Sequence, residues 1–520
     1  MIHHSNSLLF RAIKFGRSFA GEVYKFIFRI RNIIWFIFDY LKFKKFIKKQ
    51  KIKKYHKKID DKRICVTVIP WLGSSIPWYA ITIALMLNHK GKDLFILFVD
   101  TSFGEDELFH RIQTNLIYRV LKQLPIKLIK LSNLDNLNSH NSFSDEIRHL
   151  SKLNSLHRVH GETNTELRLS YEYLIEKQLR HVCSKITSLY KEESFNQIVL
   201  PGGIWGPSSV ISLFAEKNNT QLTTYDSSEN ELILSIFGVA AQLEDIPYTF
   251  EKLYNNPKEK SFAIVKGTDK LQKRRDGNDF GSFFFKADNS NEFGNDYYLM
   301  VLNSVWDTAA LGLHTVYDSM MDWILDSIEW VLDNTEKNII IRQHPVEKDR
   351  HLNNTDSYTE KIQTRFGDSD RILFINAKDE INTYDLIENA LCVLGFSSAI
   401  VVESVMLGKP AIIVSNTYYA NSGIVYNANS KKEYYMYLKK SYRNELIVTQ
   451  EMKDRASVSN YITQECNYFL TEFTPVRNNF HKWSRLTLEE LERGYLPLQA
   501  ILKNTPLPIL KHERIYNDAE

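Results

Sequence analysis

A chain of 520 residues is too long for one hydrophobic core, and at about 150 residues per domain it divides into two or three units. Its 43% hydrophobic and 25% charged content excludes wholesale disorder, and its four cysteines (Cys65, Cys183, Cys392, Cys466) lie too far apart for a disulfide framework or a structural zinc site. The net charge of +4 is uneven: residues 1–58 hold 16 Lys and Arg against only Glu22 and Asp39, a charge of +14, so the rest carries −10, which excludes a body coated for nucleic acid.

Residues 9–40 mix apolar and basic side chains, and their longest uncharged stretch, Asn32–Phe38, is far short of the ~20 apolar residues that cross a bilayer. No small-residue cleavage site follows a clean apolar core, so the stretch is not a secretory signal. Residues 41–58 add ten lysines and no acid, with Phe, Ile and Tyr at roughly helical spacing. Aromatics interleaved with lysines suit a helix in the headgroup layer of an anionic leaflet. Residues 1–62 are therefore expected to form a basic amphipathic helical arm, which seats a cytoplasmic protein on the inner face of the cytoplasmic membrane. Docking to a partner protein is the alternative; an arm for nucleic acid would not need the Phe, Trp and Ile.

The first domain is expected over 63–251. Strands are predicted at 64–70, 93–100, 126–131, 197–201 and 222–226, with helices at 78–88, 106–123, 164–190 and up to 218 between them. Residues 133–160, rich in Asn, Ser and His, read as a loop. Strands alternating with helices indicate a parallel, Rossmann-like α/β sheet. Residues 252–296 are polar and poorly periodic, which predicts a linker or insertion. The second Rossmann-like domain, 297–430, is expected to carry strands at 297–302, 338–345, 371–376, 391–395 and 410–415. Its helices are placed at 317–334 and 397–408, the latter capped by serine and stopped by Gly408. A helical segment, 431–520, closes the chain.

Two such sheets in series form a cleft at the carboxyl ends of their strands. There the second domain delivers Arg342 and His344 from one strand, and Ser397 and Ser398 from another onto a helix N-terminus, an arrangement that suits a phosphate. His344 can donate to a phosphate oxygen and offset charge on a departing nucleotide, and Glu403, one to two turns along the helix, can reach a ribose hydroxyl. In the first domain Asp100, Glu105 and Asp226 are candidates to deprotonate an acceptor hydroxyl. Ser74, Ser75, Gly202 and Gly203 sit in loops that can approach donor or acceptor. No DxD pair follows a strand, so no obligatory metal and no cofactor are expected. Helix N-termini and the basic Arg342 and Lys409 are available to neutralise the leaving group.

RQHPVEK (342–348), with DLIENALCVLGFSSAIVVESVMLGKPAIIVS (385–415), resembles the nucleotide-binding half of bacterial capsule polysaccharide biosynthesis glycosyltransferases, a family that includes Kdo-transferase-like members. Bacterial sialyltransferases carry comparable His-Pro and Ser-Ser motifs. The resemblance implies the two-domain GT-B fold, a nucleotide-activated sugar as donor, and a glycan or lipid-linked acceptor. It also implies that His344, Ser397 and Ser398 contact the donor phosphate and that Glu403 holds the ribose. SVWDTAALG (304–312) is similar to a further family segment, and places Asp307 and Thr308 at the donor side of the cleft. No acidic-acidic-Gly base motif like that of the sialyltransferases occurs in the first domain. The same pattern resembles CDP-glycerol glycerophosphotransferases of teichoic-acid synthesis, so transfer of a polyol phosphate is the rival reading. A catalytically silent scaffold of a polysaccharide-assembly complex is a third.

Overall fold

The computed structural model describes the chain apart from residues 1–28, 51, 53–61, 72–73, 102–106, 138–142, 162–164, 279–293, 305–310, 349–356 and 520. Runs of β-branched and aromatic residues become short buried strands in two sheets. The first combines β1 (Arg63–Val68), β2 (Asp93–Phe98), β3 (Lys127–Lys130), β4 (Gln197–Pro201), β5 (Gln221–Ser227), β6 (Glu231–Ser235) and β13 (Tyr468–Leu470), in the order β13-β6-β5-β4-β1-β2-β3. The second combines β7 (Tyr297–Val301), β8 (Ile339–Arg342), β9 (Ile372–Ile375), β10 (Ala390–Gly395), β11 (Ala411–Ile413) and β12 (Tyr426–Asn427), in the order β12-β11-β10-β7-β8-β9. All pairs are parallel except β5–β6 and β6–β13. Each sheet separates two apolar clusters, so helices cover both faces, as parallel sheets require. The expected pair of Rossmann-like α/β domains is the observed architecture. All four cysteines are buried and unbridged.

Four expectations are corrected. Residues 144–159, read as loop, form the helix Ser144–Val159, with Ile147, Leu153, Leu156 and Val159 buried at helical spacing among polar neighbours. Its Leu153 and Leu156 join the core of the second domain, so this helix bridges the two. Residues 257–275, read as linker, form the helix Pro257–Arg275, started by an Asn256 side chain that accepts from the amides of Lys258 and Glu259, with proline in its first turn. Gly267 lets this helix approach Gln450–Tyr461 closely: a Cβ there would lie 1.9 Å from the Ser457 carbonyl oxygen. The C-terminal segment, read as helical over 431–520, is interrupted by β13 and again at Gly494, whose φ of +70° separates Leu488–Glu492 from Leu496–Lys503.

The fourth correction concerns the arm. Residues 29–49 are helical, but they are part of the first domain's core. Phe36 and Phe43 pack on Trp78 at 5.3 and 4.8 Å between ring centres, and Phe46 meets Trp483 at 5.8 Å. Asp39, 2% exposed, is ion-paired with Arg477 at 2.8 Å, and Gln50 accepts from the Leu488 amide. Each buried aromatic contributes on the order of 1.5–3 kcal/mol, far more than a solvated tail would gain. Residues 1–28 and 53–61 of the expected arm lie outside the described residues. The C-terminal segment is likewise not a separate unit: β13 extends the first sheet, and Leu488–Glu492 and Leu496–Lys503 pack on the helix Ile76–His89.

Candidate functional site

The strand register builds the donor side. Gly395 of β10 pairs with Val301 of β7, which pairs with Arg342 of β8. Two residues beyond that level the three neighbouring strands deliver Ser397, Asn303 and His344 in a row across the carboxyl edge of the sheet. At about 4.8 Å per strand, the row is on the order of 10 Å long, enough for a diphosphate and part of a sugar. Asn303, absent from the sequence-based candidates, accepts a hydrogen bond from the Ser397 amide at 3.1 Å and so holds that turn.

His344 is half-buried, and its Nδ1 accepts from the Val346 amide at 3.2 Å. That leaves the proton on Nε2, the nitrogen free to donate. Desolvation, reinforced by the Arg342 charge, pushes its pKa down to about 4, which keeps the imidazole neutral, with a hydrogen to donate, and not the cation expected to offset charge. Ser397 and Ser398 are half-buried at the edge. The helix they lead into, Ile400–Met406, starts at Ala399 and takes no side-chain cap from them, contrary to the expected serine cap. Both hydroxyls thus stay available at the helix entrance, whereas the Val401 and Val402 amides already bond the Ser398 and Ala399 carbonyls. The Tyr419 hydroxyl fixes the turn by donating to the Ser398 carbonyl at 2.9 Å.

Three expected donor-side groups are engaged elsewhere. Arg342 is 3% exposed and donates to the carbonyls of Asn376 and Asp379, holding the turn after β9. Lys409 donates to the Ala390 carbonyl. Glu403 is 1% exposed, and its two oxygens accept from Arg274 at 2.7 Å and Tyr384 at 2.8 Å. It clamps Pro257–Arg275 to the second domain, and its carboxylate is not presented to a ribose. Asp307 and Thr308 lie outside the described residues.

On the first domain, Asp100 is consumed by its own fold. It accepts from the Ser132 amide and hydroxyl at 2.8 and 2.6 Å and pairs with Lys130 at 3.0 Å. Ser75 is fully buried and its amide binds the Pro475 carbonyl; the Ser74 hydroxyl turns back to the Trp71 carbonyl. These two serines start the helix Ile76–His89 and offer the cleft little. Glu105 lies outside the described residues. Asp226 is different: it stands exposed at the end of β5, beside Gly202, whose amide binds the Tyr225 carbonyl. Desolvation by the surrounding protein raises its pKa, which favours a carboxylate able to take a proton. Gly202 and Gly203 open the loop after β4 with φ of +68° and +105°, and a Cβ on Gly203 would crowd Ser212, Thr224 and Val239 at 3.1 Å. Trp205 in the same loop stacks on His157 at 3.9 Å between ring centres.

Beside this loop a cavity of about 1180 Å³ runs between Ser144–Val159, Pro207–Lys217 and residues 237–244, and Leu311 of the second domain reaches its wall. Asp145, Glu146, Glu216 and Glu244 line it with the exposed ring of Phe237, and no Lys or Arg does among the described residues. Glu244, which sequence reasoning missed, also borders a smaller space of about 440 Å³ that Asn416 and Thr417 close from the second domain. Desolvation and the neighbouring Asp245 and Glu216 raise its pKa to about 7. Its candidacy depends on the bridging of the two domains, which no local pattern reveals. Among the described residues no group of three or more His, Cys, Asp or Glu is placed to hold a metal ion.

The row from His344 to Ser398 falls within one stretch of known pattern. Residues 271–454 match the model of the family described as capsule polysaccharide biosynthesis protein. The resemblance drawn from the His-Pro and Ser-Ser motifs is thereby borne out, and the capsule-family stretch covers the second sheet together with Gln450–Asp454 of the returning helix. No curated protein matches the chain. Solved structures similar to it include the beta Kdo 2,4 transferase of Thermosulfurimonas dismutans KpsC, at 14% identity and a TM-score of 0.34 over 51% of this chain and 79% of that one. The beta Kdo 2,7 transferase of the same KpsC has 13% identity and a TM-score of 0.31, over 54% and 80%. A Neisseria meningitidis UDP-GlcNAc 2-epimerase bound to UDP-GlcNAc has 10% identity and a TM-score of 0.23, over 77% and 95%. At these scores they add nothing to the architecture described above.

Proposed function

We propose that the chain is a glycosyltransferase of capsule-type surface polysaccharide synthesis, which moves a sugar from a nucleotide-activated donor to a growing glycan. The observation that carries this reading is the row His344, Asn303, Ser397, Ser398 at adjacent strand ends, inside the capsule-family stretch. The serine hydroxyls take the donor phosphate, and the neutral Nε2–H of His344 donates to the oxygen on which charge grows as the nucleotide leaves. Across the cleft, Asp226 accepts the proton of an acceptor hydroxyl. The freed oxygen attacks the anomeric carbon, and the bond from that carbon to the donor phosphate breaks, its electrons leaving with the nucleotide. The carboxylate-lined cavity beside Gly203 suits a neutral or amino-sugar acceptor better than a polyanionic one. The basic, apolar N-terminal stretch fits a seat on the cytoplasmic face of the membrane, where a lipid-linked acceptor would be presented.

The test is incubation with CMP-, UDP-, GDP-, CDP- and dTDP-activated donors and glycan acceptors, with and without a chelator, followed by mass spectrometry of the product. A sugar-residue increment that survives chelation is expected, with only the matching nucleotide raising the melting temperature. A glycerol- or ribitol-phosphate increment would overturn the reading in favour of polyol-phosphate transfer.

A further inference from the structure

The N-terminal helix (29–49) is apolar on two opposite sides. Its inner side, Phe36, Tyr40, Phe43 and Phe46, is buried in the first domain. At 100° per residue the opposite side carries Ile30, Ile34, Ile37, Phe38 and Leu41, each 39–54% exposed. The same side continues into Lys44, Lys45 and Lys48. A surface helix normally has one apolar stripe, and one that is apolar all round belongs in an apolar environment on both sides. Among the described residues this helix has only one of them within the protein.

We propose that the outer face of this helix is a docking surface for an anionic lipid bilayer, with Ile30, Ile34, Ile37, Phe38 and Leu41 entering the headgroup–acyl boundary and the lysines meeting lipid phosphates. Charge complementarity selects the occupant. The only acid on the helix, Asp39, is buried against Arg477, while Arg29 and Arg31 stand at one end and Lys44, Lys45 and Lys48 at the other. A second copy would therefore set like charges together in either orientation, and residues 1–28, with four Lys and Arg against Glu22, would do the same. A leaflet of anionic lipid opposes none of them. No helix among the described residues is long and apolar enough to cross a membrane, so the helix lies along the surface.

Docking through this face differs from tethering by a loose arm. Arg477 on Asp39, Lys49 on the Arg485 carbonyl and Leu488 on Gln50 fix the helix to the domain, so the membrane plane is set relative to the first sheet and the cleft. The inference rests on the proposed function only for the choice of a membrane as surroundings; the two-sided helix stands without it.

The experiment compares the full chain with a Phe38→Glu, Leu41→Glu variant in sedimentation with phosphatidylcholine vesicles, with or without phosphatidylglycerol. The wild type should bind the anionic vesicles, less so at raised salt, and the variant should bind them about tenfold more weakly or worse. Both positions face outward, so the variant should keep the wild-type melting temperature and nucleotide-induced stabilisation, readouts that follow the donor site and not the membrane. Failure of the wild type to sediment with anionic vesicles, or equal sedimentation of the variant, would overturn the proposal. So would a wild-type dimer in light scattering that the variant splits, which would assign the face to a second copy.

Discussion

His344 meets the cleft as a neutral imidazole because burial and the Arg342 guanidinium both oppose a second proton on it. Between about pH 6.5 and 4 the unfolded chain binds a proton at this position that the folded chain refuses, so its contribution to stability falls as pH falls through that window. In catalysis the group should act by donating, not by titrating. His344→Ala should lower kcat about 10²–10³-fold, as loss of one charge-stabilising donor does, and leave the nucleotide dissociation constant nearly unchanged. His344→Gln, which keeps an N–H donor, should recover part of that loss, and neither change should move the pH–rate profile between about pH 6 and 8. Steady-state kinetics over that range with calorimetric nucleotide titration would check all three. The motif around His344, Ser397 and Ser398 was legible because it is local. Asn303 was not, since its place beside Ser397 depends on the register of β7 against β10. Nor was the diversion of Glu403 to Arg274, which comes from 129 residues away.

Helices and strands were readable where composition and burial agree. The strands β1, β2, β4, β7, β8 and β10 are continuous apolar runs and declare themselves. Ser144–Val159 and Pro257–Arg275 did not, because each buries only a narrow stripe and fills the rest with polar residues. The second of these shows how far packing overrides propensity. Glycine inside a helix costs about 1 kcal/mol relative to alanine, so Gly267→Ala would stabilise an isolated helix. Here the added methyl would meet the Ser457 carbonyl, a backbone atom that cannot step aside, and the Asn460 amide already spans the contact to the Gly267 carbonyl at 3.0 Å. Overpacking should win, and Gly267→Ala is expected to destabilise the protein by about 1–3 kcal/mol, read as a lowered urea midpoint without a changed slope.

At the scale of the molecule, the cleft is walled by two domains that the chain joins twice. It leaves the first domain through Pro257–Arg275 and returns along Gln450–Tyr461, and these two helices pack together as one connection. The cavity beside Gly203 reaches Leu311 of the second domain, so an acceptor lying in it would sense the relation between the domains. Phe237, 42% exposed on its wall, offers the ring face on which a sugar can stack. Phe237→Ala should raise the KM for the glycan acceptor several-fold with kcat and donor affinity preserved, and an unchanged acceptor KM would exclude the cavity from acceptor binding.

The return of the chain also orders its birth. β7 to β12 lie within one continuous stretch of 131 residues, so that sheet can form as soon as Asn427 has left the ribosome. The first sheet gains its last strand only at Leu470, and the N-terminal helix waits for Arg477 and Leu488, each 438 positions later, before its buried polar groups find their partners. The earliest made of the described helices is thus among the last to be seated, and throughout synthesis both its apolar sides face outward. A nascent chain in that state is a substrate for chaperones and an easy prey to aggregation. A stop codon in the 470s would accordingly leave a sound second domain attached to a first domain that never closes.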